Sequence, residues 1–482
     1  MAFALFCLAA VIRILSLVFS GGFDSVLGYD DGVYFSATLG WLHGLIPYRD
    51  FILVHPPGIL LVLSPFAWLA SHTTDEIGFI SARIFFVFLG SISTVIIYKV
   101  GERIKTRIGL YSAIFYAAWL PVIIIDRTPY LEGVGAFALL IAVYLITSNK
   151  LTRFKVVAAG ASLGLAVGTK LWFAIPVAVV CAWFMVRREW LKSITFGASS
   201  VISFLLVTTP FFLLAPTKFI DLVIKAQVQR SGPKIDYAER FSAIFNRQSL
   251  SIFMGENLSS IVIVIILLTV CIIVFKNFQL RSVEGLIIAL FAAQLIVLLR
   301  TPVFFNAYPS FAATALAIIF GMSLIRMRDV RLRHILLFLI FAVGVNSSLT
   351  QAKGLTIPNK IERIAYSSSD CVTSDSPAVL LLTNALSRDL KKTCHLIFDV
   401  TGVIYGIDQG SNPQHATSTY RRLKSPTYQR TLSSYLKEGS TIILARENSN
   451  GLTSRTREYL MRGRKVIRTQ DFTVIIDKKA ER

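Results

Sequence analysis

Long apolar runs, separated by short polar connectors, fill about the first 350 residues of the chain. They predict membrane-spanning helices, because an α-helix needs about 20 apolar residues to cross a hydrocarbon core about 30 Å thick. The pattern predicts about eleven spans, at residues 2–20, 80–99, 108–125, 131–148, 156–170, 171–187, 193–214, 257–275, 283–299, 307–325 and 334–351. The stretch 156–187 is divided at Lys170, since a lysine inside the hydrocarbon core is costly, and its two spans are expected to meet at the outer face.

A polar and aromatic stretch, residues 21–79, follows the first predicted span. Its most apolar part, Ile59 to Ala70, has about 12 residues and is too short to cross a bilayer. We expect that part to be an interfacial or re-entrant helix. Residues 21–79 therefore form a first external loop, with two amphipathic pieces along the outer membrane surface.

Apolar runs of strand length replace the long ones after about residue 353. These runs are PAVLLLT, HLIFDV, TIILAR, KVIRT and FTVIID, and helical patterns lie at 426–438 and 452–463. The chain thus divides into a transmembrane domain, residues 1–352, and a small extracytoplasmic α/β domain, residues 353–482.

The composition agrees with a membrane protein. Hydrophobic residues make up 54% of the chain and charged residues only 16%, with a mean hydropathy of +0.63. A soluble protein with so few charged residues would have too little polar surface to cover its core.

The net charge of +21 is distributed unevenly. Basic residues gather in alternate short connectors, at Lys99, Arg103, Lys105, Arg107, Lys150, Arg153, Lys155, Arg187, Arg188, Lys192, Lys276, Arg281, Arg326, Arg328, Arg331 and Arg333. This alternation follows the positive-inside rule, so the basic charge orients the protein and does not indicate a nucleic-acid partner. We expect a multi-pass protein of the plasma (inner) membrane, with a cytoplasmic N-terminus and the C-terminal domain outside.

Charged residues also lie on the predicted outer connectors: Asp30, Asp31, Asp126, Arg127, Glu132, Lys170 and Arg300. One hypothesis is that these carboxylates and cations converge on one cavity. Alternatives remain for each of them. Asp31 is also a candidate helix N-cap, Glu132 is also a candidate solvated residue, and the cations are candidates for snorkelling to the lipid headgroups.

The motif YDDGVYF…G…PYRDF…HPPG resembles the first external loop of the GT-C superfamily of membrane glycosyltransferases. Protein O-mannosyltransferases and lipid A aminoarabinose transferases are the most similar groups within it. The matching residues are Asp30, Asp31, Tyr34, Gly44, Pro47, Tyr48, Asp50, His55, Pro56 and Pro57. Ala82-Arg83, the connector from Arg127 to Glu132, and the Gly-Thr-Lys ending at Lys170 are similar as well. The resemblance covers roughly residues 1–350, and the C-terminal region matches only as an extra external domain.

The resemblance implies an inverting transfer of a sugar from a polyprenyl-phosphate carrier to an acceptor hydroxyl at the outer face. Asp30 would be the general base, and Asp31 would orient it or hold a metal. Glu132 and His55 would lie on the acceptor or metal side, with Gln227 and Arg230 in an acceptor-side or gating role. Lys170, Arg83, Arg127 and Arg300 would bind the donor phosphate. A divalent metal is possible, although no ligand spacing in the sequence requires one.

Two other functions compete with this one. A lipid or sugar transporter or flippase would normally place ionisable residues in mid-membrane on broken helices, often with repeat symmetry. A non-catalytic assembly scaffold would tolerate Asp30→Asn. The sequence leaves open whether the sugar is mannose, arabinose, galactose or another, and whether the acceptor is a protein, a glycolipid or a glycan.

Two of the five cysteines, Cys371 and Cys394, lie in the polar C-terminal region. If that region is outside the cytoplasm, a disulfide between them is chemically permitted.

Overall fold

The computed structural model describes residues 1–228, 230, 236–247, 279–350, 353–407, 418–446 and 450–477, with residues 250, 251, 255–257, 259 and 263 in addition. These residues group into two compact units. The first unit comprises residues 1–20, 84–208 and 235–352. The second comprises residues 21–83, 209–234 and 353–482. The predicted first external loop, residues 21–79, falls in the second unit together with the C-terminal region, and the predicted division at residue 352 stays a prediction.

Helices make up nearly all the regular structure before residue 350. The described helices are α1 (Ala2–Phe19), α2 (Asp30–Leu42), α3 (Gly58–His72), α4 (Asp75–Ile104), α5 (Thr106–Ala118), α6 (Leu120–Asp126), α7 (Leu131–Ile146), α8 (Arg153–Val167), α9 (Ala174–Val186), α10 (Trp190–Leu214), α11 (Pro216–Phe219), α12 (Ala226–Val228), α13 (Tyr237–Ile244), α14 (Val283–Arg300), α15 (Ser310–Arg326) and α16 (Val330–Thr350). A 3₁₀ turn, Leu171–Phe173, precedes α9, and a π-helical segment, Ile220–Lys225, joins α11 to α12.

Five of the described helices, α1, α4, α10, α14 and α16, are long and apolar enough to cross a membrane. Helices α5 and α6 together form a sixth candidate span. Helices α3, α7 and α15 and the segment Leu171–Val186 are shorter apolar helices. The predicted span 257–275 lies largely outside the described residues, so the total of about eleven spans stays a prediction.

The apolar run that forms α5 and α6 bends by 65°. Trp119, between the two helices, has an extended backbone, and Pro121 lies in the first turn of α6. Proline fits a first turn but ends the helix before it, because it lacks an N–H and its ring clashes with the preceding turn. The predicted span 108–125 is therefore a broken helix that ends at Asp126.

Small residues let the helices of the first unit pack closely. A Cβ atom on Gly160 or Gly164 of α8 would lie 2.4 or 2.2 Å from a carbonyl oxygen of α10. The Ser200 hydroxyl of α10 donates a hydrogen bond to the Gly160 carbonyl (2.9 Å). Close backbone approach through small residues is typical of helix packing in membranes. It fixes α8, whose C-terminal end leads into Lys170.

The second unit contains a four-stranded sheet. Its strands are β1 (Val372–Ser374), β2 (Thr441–Leu444), β3 (Lys465–Arg468) and β4 (Thr473–Ile476), in the order β1-β2-β4-β3. β1 and β2 are parallel, with Val372 opposite Thr441, and the other two pairs are antiparallel. The helices of this region are α17 (Asn359–Ser367), α18 (Pro377–Leu382), α19 (Leu386–Lys391), α20 (Val403–Ile407), α21 (Ser418–Lys424), α22 (Pro426–Glu438) and α23 (Ser454–Met461).

The sequence prediction for the C-terminal region is partly wrong. The run PAVLLLT is α18 and not a strand, and HLIFDV has no regular structure. A short, wholly apolar run has no period that separates a buried strand from a buried helix, and here Pro377 begins a helix at a position that suits proline. The strands in TIILAR, KVIRT and FTVIID and the helices α22 and α23 agree with the prediction.

Helix α2 differs from the expected amphipathic surface helix. Every residue from Asp31 to Gly40 is buried, and both α3 and α18 pack against it. A Cβ atom on Gly32 would lie 2.5 Å from the backbone nitrogen of Ala378 in α18. Only a glycine permits this approach, so the start of α2 is fitted to the C-terminal region.

A disulfide joins Cys371, just before β1, to Cys394, just after α19, with a Cα–Cα distance of 6.0 Å. We predict that C371S lowers the free energy of unfolding by about 3 kcal/mol, because the bond restricts the unfolded chain. The bond and its location are tested in a variant with Cys7, Cys181 and Cys271 changed to serine. In intact cells, a membrane-impermeant maleimide should label this protein only after treatment with an impermeant reductant, because reduction frees the thiols of Cys371 and Cys394. Labelling without reductant would disprove the bond, and no labelling after reduction would place the domain inside.

Burial raises the pKa of Asp389 in α19 to about 6, although the backbone N–H of Val372 donates to its carboxylate (3.0 Å). The folded state therefore binds a proton between the ordinary pKa of 3.8 and about 6, so its stability falls as the pH rises through this range. We predict that D389N is more stable than the parent at pH 8 by about 2–3 kcal/mol and that the advantage disappears near pH 4. Thermal unfolding across this range, with D370N at an exposed carboxylate as control, measures the effect. An advantage that does not change with pH would contradict it.

Candidate active site

Two carboxylates with different surroundings begin helix α2. Asp31 is completely buried, and Arg83 of α4 donates a hydrogen bond from Nη2 to its Oδ2 (2.9 Å). The other oxygen of Asp31 accepts from the backbone N–H of Gly32 (2.9 Å). Asp30, one residue earlier, is exposed. The exposed carboxylate is therefore the one that a solvent-borne hydroxyl can reach, while its neighbour is half of a buried ion pair.

Arg83 is also completely buried, and it binds the segment that leads into α2. Its Nη1 donates to the carbonyl oxygens of Phe23 (2.5 Å) and Ser25 (2.8 Å), and its guanidinium lies 4.2 Å from the centre of the Phe79 ring. These contacts with the protein give Arg83 a structural function in holding residues 23–31. Its predicted contact with the donor phosphate stays a prediction.

His55 is half-buried and lies near α2. Its ring meets the Tyr34 ring edge to face, with centroids 6.1 Å apart, and its carbonyl accepts from the Tyr48 hydroxyl (2.8 Å). The side-chain amide of Gln227 donates to the neighbouring carbonyl of Val54. The side chain of Gln227, in α12, thus reaches the loop that carries His55, next to that residue.

The motif around Pro47, Tyr48 and Asp50 forms a tight turn. Asp50 accepts from the Ile46 backbone N–H (2.8 Å) and from the Arg49 side chain (2.8 Å). Tyr48 adopts φ of 68°, which is rare for a non-glycine residue. Hydrogen bonds from Arg49 and Ile46 lower the pKa of Asp50, so it stays ionised as the acceptor that closes this turn.

The first unit contains a second ion pair between predicted residues. Lys170, at the break between α8 and α9, donates to Glu132 in the first turn of α7 (2.5 Å), and both side chains are buried. The ammonium also lies 4.4 Å from the ring centres of Trp172 and Tyr308. Two aromatic faces and one carboxylate stabilise a buried cation. Neither Trp172 nor Tyr308 was predicted as a site residue. Of the two, Trp172 could have been found from the sequence, because it lies two residues after the Gly-Thr-Lys that ends at Lys170.

Asp126 and Arg127, at the end of α6, both bind helix α1. Arg13 and Asp126 form a buried ion pair, with 2.6 Å between Nη2 and Oδ2. Arg127 donates to the hydroxyls of Ser16 (3.2 Å) and Ser20. The pairing of Arg13 was not predicted, although an arginine inside an apolar span is costly unless it has a partner.

Two further predicted residues are Arg300 and Arg230. Arg300 is exposed at the last position of α14, and the Arg230 guanidinium lies 5.5 Å from the centre of the Tyr405 ring. No three His, Cys, Asp or Glu side chains of the described residues lie together as a metal site would require. Because Mg²⁺ is also held by one or two carboxylates together with water and phosphate oxygens, the divalent metal that the resemblance allows stays a prediction.

The structure joins the predicted residues in pairs. It brings Asp31 to Arg83 in the second unit and Glu132 to Lys170 in the first. The single cavity expected from the sequence stays a prediction.

No protein-family model matches the chain, and no curated protein sequence does. Several solved structures, including the following three, are similar over nearly its whole length. ArnT from Cupriavidus metallidurans, a lipid A aminoarabinose transferase seen bound to undecaprenyl phosphate, has a TM-score of 0.63 at 14% identity and covers 98% of this chain and 97% of its own.

The other two structures are of the Archaeoglobus fulgidus oligosaccharyltransferase. In complex with zinc and sulfate it has a TM-score of 0.57 at 11% identity and covers 98% of this chain and 73% of its own. The same oligosaccharyltransferase, AglB, in complex with an inhibitory peptide and a dolichol-phosphate has a TM-score of 0.54 at 10% identity. It covers 99% of this chain and 74% of its own. At such low identity the similarity establishes the fold, and the motif resemblance is confirmed at that level. The chain is a helical membrane protein with the GT-C fold.

Proposed function

We propose that the protein is a membrane glycosyltransferase that moves a sugar from a polyprenyl-phosphate carrier to an acceptor hydroxyl. The observation that carries the proposal is the exposed carboxylate of Asp30 beside the buried pair of Asp31 and Arg83 at the start of α2. The fold supports it, because ArnT and AglB were seen with undecaprenyl phosphate and a dolichol-phosphate, which are lipid phosphates of this class. The comparisons do not favour the transporter alternative.

The proposed reaction is a single displacement with inversion. The Asp30 carboxylate takes the proton of the acceptor hydroxyl while its oxygen forms a bond to the anomeric carbon. The bond between that carbon and the phosphate oxygen breaks, and its electron pair leaves with the polyprenyl phosphate. A retaining reaction would need a second, nucleophilic carboxylate. Asp31 is held by Arg83 and has the supporting function of fixing the turn that carries Asp30.

Lys170 is the proposed contact for the donor phosphate. Its ammonium has three N–H donors, and Glu132 accepts one of them. Glu132 and the rings of Trp172 and Tyr308 fix the position of the charge, which favours a point contact with a phosphate oxygen. Arg127 and Arg300 are further candidates for this contact, and His55 and Gln227 are candidates for the acceptor side.

We place the protein in the plasma (inner) membrane, with a cytoplasmic N-terminus and its C-terminal domain outside. The alternation of basic connectors supports this orientation. The partners are then the bilayer, the carrier lipid and a glycan, glycolipid or protein acceptor. The maleimide experiment on Cys371 and Cys394 tests the orientation independently of activity.

Asp30→Asn tests the proposed base. The amide keeps the size of the side chain but cannot take a proton, so transfer should fall about 10²- to 10⁴-fold. Membranes are supplied with undecaprenyl-phosphate-linked mannose, arabinose or galactose and with the envelope fraction of a deletion strain, and product is measured by mass spectrometry. D24N, at an exposed carboxylate in the same loop, should keep the parent rate. An unchanged rate in D30N, with loss in D31N or E132Q, would move the base to another carboxylate.

Lys170→Met tests the proposed phosphate contact. The donor KM should rise about 10- to 100-fold, because a hydrogen bond to a charged group contributes about 1.5–3 kcal/mol. The single substitution leaves Glu132 buried without its cation, so K170M combined with E132Q, which removes both charges, is measured beside it. Lys150→Ala, at an exposed connector position, is the control. A donor KM that stays at the parent value in both variants would refute the assignment.

A further inference from the structure

Tyr29, the residue before Asp30, is bound by the C-terminal domain. Its hydroxyl donates a hydrogen bond to Oδ1 of Asp399 (3.1 Å) and accepts one from the backbone N–H of Thr401 (2.9 Å). The Arg446 guanidinium lies 5.3 Å from the centre of its ring. The ring also packs against the hydrophobic core of the C-terminal domain. Tyr29 is thus held by its hydroxyl and by its ring.

Asp399 is itself fixed in place. It is buried, and its Oδ1 also accepts from the Gly402 backbone N–H (2.7 Å) and the Thr401 hydroxyl (3.1 Å). A Cβ atom on Gly402 would lie 2.1 Å from Oδ2, so only glycine permits this turn around the carboxylate. Burial raises the pKa of the Tyr29 hydroxyl well above its ordinary value, which keeps the hydroxyl protonated as the donor.

Tyr29 is one of three fixed points around Asp30. Asp31, on the other side, is held by Arg83, and Gly32 lies against the Ala378 backbone. The Tyr29 carbonyl accepts the first backbone hydrogen bond of α2. Both neighbours of Asp30 are therefore immobilised by buried partners, while the Asp30 side chain is exposed. This is an arrangement that fixes the direction of one carboxylate.

We propose that Tyr29 and Asp399 are positioning residues for Asp30, and that holding this carboxylate in line with the acceptor hydroxyl is a function of the C-terminal domain. The proposal rests on the proposed function, in which Asp30 is the base. Proton transfer requires the base within hydrogen-bond reach of the hydroxyl. A displacement of about 1 Å reduces the rate up to about 100-fold, so the Tyr29 hydroxyl influences the rate without touching substrate.

Tyr29→Phe removes the hydroxyl and leaves the ring packing intact. We expect kcat to fall about 10- to 100-fold with the donor KM unchanged. Asp399→Ala removes the oxygen that accepts this hydrogen bond and should lower kcat at least as much. Y29F should not slow D399A further, because the contact between the two side chains is then already lost. Tyr459→Phe, at an exposed tyrosine of the same domain, should keep the parent kcat. The donors are the three undecaprenyl-phosphate sugars used for Asp30.

Introducing Tyr29→Phe into the Asp30→Asn variant distinguishes a positioning function of Tyr29 from a general effect on stability. If Tyr29 acts through Asp30, Y29F should not slow D30N further. If Y29F slows the parent and D30N equally, its function is merely structural and the proposal is wrong. A parent rate in Y29F, with D30N inactive, would also overturn it. A parent rate in D30N would instead refute the proposed base. Should Y29F not fold, D399A provides the same comparison.

Discussion

The ion pair between Asp31 and Arg83 is the contact on which the geometry of the candidate active site depends. Both side chains are completely buried. Breaking such a pair typically costs about 3–5 kcal/mol, because it leaves one charge buried without a counter-charge. Arg83 also binds two carbonyl oxygens of the segment before α2, so the same guanidinium sets both the path of the chain and the position of the first helical turn. The exposed Asp30 has its place because its neighbour is fixed so firmly.

The same physical constraint recurs in the first unit, where charges lie among apolar helices. Arg13 pairs with Asp126, and Lys170 pairs with Glu132. Each pair connects two elements that are distant in sequence. The first joins α1 to the last residue of α6, and the second joins the first turn of α7 to the break between α8 and α9. Buried charges are costly in a membrane and occur where they are paired or functional. Both of these charge pairs are paired in this sense. Lys170 also lies over the rings of Trp172 and Tyr308, which fix the position of its ammonium in addition to Glu132.

Much of the helical part follows from the sequence, because long apolar runs have few alternatives to membrane helices. The motif and the charged outer connectors also identified Asp30, Asp31, Glu132 and Lys170 as residues of interest. The partners of these residues were not predictable, since an ion pair such as that of Arg83 is set by tertiary packing across 52 positions. In the C-terminal region, β1 has only three residues and α18 only six, too few for a hydrophobic period to develop. The packing of α2 against α18 could not be predicted either, because the pattern of hydrophobic and polar residues describes each element separately and not its tertiary contacts.

The hydrogen bond between Tyr29 and Asp399 joins residues 370 positions apart. Translation adds about 5–20 residues per second, so the partner of Tyr29 is made roughly 20 to 75 s after Tyr29 itself. During that time the ribosome has released the whole loop and most of the apolar helices, while the loop still lacks its final support. The order of synthesis therefore leaves the turn before α2 without its bond to Asp399 until the C-terminal region has been made, so a partly made chain does not hold the proposed base, Asp30, as the folded chain does.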